Sequence, residues 1–208
     1  ARERITEFKI NWNIISWPGK AWAQRVFPEA SVDEAVFKLS EAIFDASRVS
    51  VDDPIKAWDD HNEKLRKKTI WLNEKNFKAL QYNGPNTNLR VGLADEHEWM
   101  GGASKAQNNI ICNPNIPSEE VFTTPHAYKV EGKVSSTKPL SYQGTLIDNI
   151  NVTFKEGKII EAHASKGEEV LHKVLKSDEG ASRIGEVALV PNSSPISKSG
   201  IIFYNTLF

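Results

Sequence analysis

Tyr82-Asn83-Gly84-Pro85-Asn86 divides the chain into two textures. Asn-Gly and Pro-Asn are turn-forming pairs, and the hydrophobic pattern changes period across them. Upstream the apolar residues recur at helical spacing. Downstream, Leu89, Val91 and Leu93 alternate as in a half-buried strand. The helical part has two clear starts. Ser31-Val32-Asp33-Glu34 forms a capping box, followed by Val36, Leu39 and Ile43 on one face. Asp53-Pro54 offers an oxygen cap and then proline at the first helical position. From there Trp58, His61, Leu65 and Leu72 share a stripe, with Lys64, Arg66, Lys67 and Lys68 mostly around the other side. Asp59, Asp60 and Glu63 dilute that basic run, so it reads as a solvated face rather than a phosphate site.

Beyond the turn, Tyr128 to Ala164 reads as a meander of hairpins, with tight reversals expected at Val130-Glu131-Gly132-Lys133-Val134 and at Phe154-Lys155-Glu156-Gly157-Lys158-Ile159. A helix should follow with Val170, Leu171, Val174 and Leu175 on one face and Gly180 near its end. Short strands are expected at Val187–Val190 and Ile201–Tyr204. The predicted class is α+β: an N-terminal helical segment over residues 1–82, then a mostly antiparallel β-rich domain with one further helix over residues 83–208.

The 208 residues are 39% hydrophobic and 25% charged, the balance of a globular chain with a core. Twenty-six basic and 27 acidic side chains give a net charge of −1, which offers no general attraction for nucleic acid or an anionic membrane. No apolar run approaches the roughly 20 residues of a spanning helix. Cys112, the single cysteine, excludes an internal disulfide framework and a multi-cysteine zinc site, and favours a reducing compartment, by default the cytoplasm. The chain opens without Met and closes on an apolar run, from which a piece of a longer protein is expected.

Two acidic places carry potential chemistry. Glu186 directly precedes Val187-Ala188-Leu189-Val190, apolar on both faces, and a carboxylate at the mouth of a buried strand requires a cation or several donors. A solvent-facing or ion-paired carboxylate is the simpler reading of that residue alone. Glu119 and Glu120 lie between Pro117 and Pro125, which keep helix away, so the two side chains should point opposite ways along extended chain. The five histidines (61, 97, 126, 163 and 172) match no zinc signature such as H-E-x-x-H. Ser135-Ser136-Thr137-Lys138 has S-x-x-K lettering but lies in extended chain before Pro139. Six tryptophans, dispersed along the chain, read mostly as core rather than as a sugar platform.

Read as longer blocks, the acidic segments are more specific. Asn115-Ile116-Pro117-Ser118-Glu119-Glu120-Val121-Phe122-Thr123, Ser136-Thr137-Lys138-Pro139-Leu140 and Asp178-Glu179-Gly180-Ala181-Ser182-Arg183-Ile184-Gly185-Glu186-Val187-Ala188-Leu189-Val190 resemble the thermophilic metalloaminopeptidase family, the aminopeptidase T, aminopeptidase S and PepS group. Ser194-Pro195-Ile196 and Phe203-Tyr204-Asn205-Thr206-Leu207-Phe208 fit in the same order. So do Ala21-Trp22-Ala23 with Phe27-Pro28, Asp53-Pro54 with Trp58 and His61, and Trp99 with Gly101-Gly102. The resemblance implies an exopeptidase that uses two divalent metals, zinc or cobalt, on peptides with a free N-terminus. It also implies Glu120 and Glu186 as metal ligands, with a bridging or proton-transfer role for Glu186, and a homodimer. An N-terminal α/β domain and the remaining Glu, His, Asp and Tyr site residues would lie outside these 208 residues, leaving this chain's own site incomplete or empty. The rival readings are a non-catalytic α+β binding or assembly module and a metal-independent carboxylate-pair glycoside hydrolase.

Overall fold

In the computed structural model, which describes residues 2–208, helices dominate up to Lys75 and strands dominate after it, as the α+β expectation requires. Helix α1 (Arg2–Thr6) and strand β1 (Ile14–Ile15) lead to α2 (Lys20–Val26), α3 (Val32–Ala46) and α4 (Pro54–Lys75). A hairpin of β2 (Ala79–Gly84) and β3 (Thr87–Leu93) follows. Three short strands, β4 (Ser104–Lys105), β5 (Ile111–Cys112) and β6 (Asn115–Ile116), precede β7 (Val121–Thr123) and the long β8 (Pro125–Ser135). Then come β9 (Leu140–Tyr142), β10 (Thr145–Ile147), β11 (Asn151–Lys155), β12 (Lys158–His163), α5 (Glu168–Leu175), β13 (Val187–Leu189) and α6 (Pro195–Ser199). No helix among the described residues is long and apolar enough to cross a membrane.

Two compact units are built from non-contiguous stretches. One contains residues up to Trp71 with Met100–Val121 and Leu189–Phe208; the other contains Leu72–Trp99 and Phe122–Ala188. A division after residue 82 falls inside the β2–β3 hairpin, where six residue pairs from Ala79↔Gly92 to Gly84↔Thr87 join the strands.

In the first unit, both expected caps are formed. Ser31 Oγ accepts from the Glu34 amide at 3.4 Å, and Asp53 Oδ1 accepts from the Lys56 amide at 2.9 Å. Each satisfies an amide that the first helical turn leaves without a partner. Helix α3 buries Ala35, Leu39, Ile43 and Ala46, and the core gathers Ala23, Ala35, Leu39, Ile43 and Phe203. On α4, His61, Leu65 and Leu72 are buried. Glu63 meets Arg66 at 2.6 Å and Lys67 at 3.5 Å along the helix, pairing two of the four basic residues of that run. Ile201–Tyr204, expected as a strand, is irregular. It serves the core instead: the Phe203 ring stacks on Phe208 at 4.3 Å, and the Phe203 carbonyl accepts from the Trp22 indole.

In the second unit, β12-β11-β8-β3-β2 form one antiparallel sheet. Leu89, Val91, Val130 and Phe154 are buried on one face, while Arg90, Glu131 and Lys133 on the opposite face are exposed. This alternation is that of a sheet with one face covered. The reversal at Glu156-Gly157 occurs as expected, with φ of 50° and 78° matching a primed two-residue turn. The reversal expected at Gly132 does not occur: β8 runs straight through it for 11 residues. Gly132 has φ +113°, and a Cβ there would lie 2.1 Å from the Asn88 carbonyl oxygen. Glycine is needed for close approach of two backbones, not for a turn. Helix α5 ends at Leu175 with Lys176 as its C-cap, so Gly180 lies beyond it, in a turn held by the Asp178 side chain.

Gly132→Ala is therefore expected to destabilise the chain by about 1–3 kcal/mol, the usual cost of a forced backbone conformation. Urea unfolding checks this, and an unchanged midpoint would contradict it.

Candidate functional site

From Pro117 to Thr123 the residues alternate strictly between buried and half-buried. Pro117, Glu119, Val121 and Thr123 form the buried set; Ser118, Glu120 and Phe122 form the other. This is the period of extended chain, and it sends the two adjacent carboxylates to opposite sides, as the flanking prolines predict.

Glu119 is 5% exposed and is held by Arg48 through both carboxylate oxygens, with Nη2 to Oε2 at 2.9 Å. Bidentate geometry makes such a pair strong, and burial makes it costly to break. Arg48 follows the end of α3 with φ 58°. Its guanidinium lies 5.7 Å from the ring centre of Trp58, and the Trp58 indole donates to the Ser47 carbonyl at 2.8 Å. His61 Nε2 donates to the Ser118 carbonyl at 2.7 Å and stands 3.7 Å from Glu119. Thus α3, α4 and the Ser118–Glu119 backbone are tied together by side chains of the first unit. Burial holds the His61 imidazole below its ordinary range; the Ser118 hydrogen bond opposes this, Arg48 adds to it, and the Glu119 charge again opposes it.

Glu120, half-buried, immediately precedes β7 and is the last residue but one of the first unit's Met100–Val121 stretch. Gly101 packs against its backbone so tightly that a Cβ would lie 2.5 Å from the Glu120 oxygen.

Glu186 immediately precedes β13 in the second unit. It is exposed, and Val190 is exposed as well. The expected desolvation of this carboxylate therefore does not arise, because the following strand is buried only at Val187. Strands β7 and β13 are hydrogen-bonded neighbours. Within the second unit Glu186 lines a cavity of about 710 Å³, along with Ile184, Val187 and Ala188.

The histidines do not assemble into a centre. His97 Nδ1 bonds the Ala94 carbonyl at 2.9 Å, His126 Nδ1 accepts from the Tyr128 amide at 3.1 Å, and His163 and His172 flank Glu168 at 3.6 and 3.9 Å. Among the described residues no group of three or more His, Cys, Asp or Glu is arranged to hold a metal ion. Glu120 and Glu186 are hard oxygen donors suited to divalent ions, but two carboxylates do not make the four-ligand set that fixes zinc. The described residues thus do not fit a complete metal centre. Of the tryptophans, Trp99 is core at 2% exposure, whereas Trp17 and Trp71 are exposed.

The family model described as thermophilic metalloprotease (M29) matches residues 1–208. The chain belongs to this family. It is 50% identical over 208 residues to aminopeptidase T of Thermus thermophilus, covering 100% of this chain and 51% of that protein. It is 50% identical over 207 residues to aminopeptidase 2 of Geobacillus stearothermophilus, covering 100% of this chain and 50% of that protein. Aminopeptidase AmpS of Bacillus subtilis is 44% identical over 207 residues, again with 100% and 50% covered. The solved structure of wild-type AmpT from Thermus thermophilus matches with a TM-score of 0.93 at 48% identity, over 99% of this chain and 50% of that one. The chain spans about half the length of the curated relatives it matches.

Sequence reasoning missed Arg48. It lies 71 residues from Glu119, and no local pattern announces a pairing over that separation. Arg48→Met leaves Glu119 buried without its cation and is expected to cost about 3–5 kcal/mol in urea unfolding, with Arg48→Met/Glu119→Gln losing less than the single change. A loss below about 1 kcal/mol in the single variant would show that the pair behaves as a surface bridge.

The folded chain also favours neutral His61. Its contribution to stability is complete above the unfolded imidazole value of about 6.5 and is lost as the pH falls below it. His61→Gln should flatten the fall in stability between pH 7 and pH 5; an unchanged slope would contradict this.

Proposed function

We propose that this chain supplies part of an aminopeptidase that removes N-terminal residues from peptides with the aid of two divalent metal ions, zinc or cobalt. The observation that carries the reading is the match of the metalloprotease family model to all 208 residues. The named aminopeptidases that are 44–50% identical support it.

In this reading Glu120 and Glu186 are metal ligands, Glu186 with a bridging or proton-transfer role, and the residues after residue 82 carry most of the site. Each glutamate immediately precedes a strand, Glu120 before β7 and Glu186 before β13. The buried Arg48–Glu119 pair gives Glu120 a fixed backbone. Because the described residues do not form a complete donor set, the reading requires further ligands from outside these 208 residues. The 208 residues alone would then be inactive. A cytoplasmic homodimer acting on peptides is the form proposed for the whole protein.

The test uses the full-length protein that contains this chain. After metal is stripped, Zn²⁺ or Co²⁺ should restore release of leucine from Leu-p-nitroanilide. Glu120→Gln and Glu186→Gln should each lower the rate by more than about 100-fold, beyond the usual effect of losing an outer-shell partner. The 208-residue chain by itself should release nothing. Metal-dependent release by that short chain, or a full-length protein indifferent to metal and to both substitutions, would overturn the proposal.

A further inference from the structure

Glu186 is reached through a stretch without regular structure. Helix α5 ends at Leu175 and β13 begins at Val187, and Ile184, Gly185 and Glu186 belong to neither helix nor strand. Gly185 is exposed, and a Cβ on it would meet nothing within 4 Å. A backbone that turns freely at glycine does not fix where the exposed carboxylate beside it stands. Its position has to come from the anchors on either side. Downstream the anchor is Val187, buried at the start of β13. Upstream it is Arg183.

The turn that leads to Arg183 is closed by its own side chain and backbone. Asp178 Oδ1 accepts from the amides of Gly180 and Ala181, both at 2.8 Å, and the Arg183 amide donates to the Gly180 carbonyl at 2.9 Å. Two links then tie this turn to the sheet. The Ile159 amide of β12 donates to the Ser182 carbonyl at 2.9 Å. The Arg183 guanidinium reaches further: its Nη1 donates to the Ala127 carbonyl of β8 and, at 3.4 Å, to the Glu156 carbonyl in the turn between β11 and β12. Its central carbon lies 4.5 Å from the centre of the Tyr128 ring, within cation–π reach. Gly157 lets the β11–β12 turn close onto β8, for a Cβ there would lie 1.9 Å from the Ala127 oxygen. Two carbonyl oxygens brought together present their negative ends to one place. A guanidinium donates there from a rigid planar fork while its face stacks on an aromatic ring, and a lysine ammonium has no such face.

We infer that Arg183 is a positioning residue for Glu186: it clamps the turn of residues 178–183 to the backbone of β8 and of the β11–β12 turn, so that only Ile184 and Gly185 separate a held point from the carboxylate. The inference rests on the reading of Glu186 as a site residue and adds the group that holds it in place. Arg183 acts through the backbone and touches no reacting atom. Tyr128 contributes the ring face on which the guanidinium lies, and phenylalanine would supply the same face.

The test applies hydrogen exchange and steady-state kinetics on Leu-p-nitroanilide to the full-length protein with metal present. In Arg183→Met the amides of Ile159, Gly180 and Ala181 should exchange about 10-fold faster or more, as in a local opening, while those of Val91 and Val130 in the sheet keep the wild-type rate. kcat should fall by about 10- to 100-fold, the scale set by small misplacements of a reacting group, with KM little changed. Unchanged sheet amides show that the molecules remain folded, so the lower kcat belongs to each molecule and not to a smaller active fraction. Tyr128→Phe keeps the stacking face and should match the wild type in both readouts. Tyr128→Leu should move both in the direction of Arg183→Met. If Arg183→Met does not fold, Arg183→Lys, which keeps the charge without the planar fork, gives the same readouts with smaller changes. Wild-type exchange at Ile159, Gly180 and Ala181 overturns the inference. So does faster exchange there with an unchanged kcat, and so does a loss of protection that spreads equally through the sheet. A wild type that releases no leucine overturns the aminopeptidase reading instead, while the exchange rates still decide whether Arg183 holds the turn.

Discussion

The buried ion pair between Arg48 and Glu119 is the constraint on which the first unit's candidate site depends. A carboxylate with 4% of its side chain exposed has lost its water. It is tolerable only because a guanidinium meets both oxygens and because Trp58 and His61 close the space around them. The pair ties the segment from Pro117 onward to the helices. Strict alternation along that segment then decides the side on which Glu120 emerges. The direction in which Glu120 emerges thus rests on its neighbour being firmly engaged on the opposite side.

A comparable economy governs the second unit. The five-stranded sheet has one polar face and one apolar face, and helix α5 covers only part of the latter through Leu171, which packs with Ile147 and Ala162. The remaining apolar surface meets the segment from Ile184 to Ala188 across a cavity rather than through close packing. Glu186, exposed at its wall, is free of the desolvation cost that its sequence context implied.

What was legible in the sequence was mostly local. Ser31 with Glu34, Asp53 with Pro54, and Glu156 with Gly157 each act within a few residues, and their chemistry is nearly independent of the rest of the fold. The opposite orientation of Glu119 and Glu120 was legible for the same reason, since prolines and a two-residue period are enough to require it. The long ordered blocks around Glu120 and Glu186 identified the family. Gly132 misled because a glycine demanded by the backbone of Asn88 looks, in one dimension, like a glycine demanded by a turn. Ile201–Tyr204 misled because an apolar run can fill a core without joining a sheet. Strand β2 and the partnership of Arg48 with Glu119 were missed because both are settled by residues distant along the chain or across a turn. The assembly of each unit from separated stretches has the same origin.

The most direct measurement is anomalous diffraction at the zinc or cobalt edge from crystals of the full-length, metal-loaded protein. The account predicts carboxylate oxygens of both Glu120 and Glu186 within about 2.0–2.2 Å of a metal ion. Metal ions bound away from both residues would contradict it.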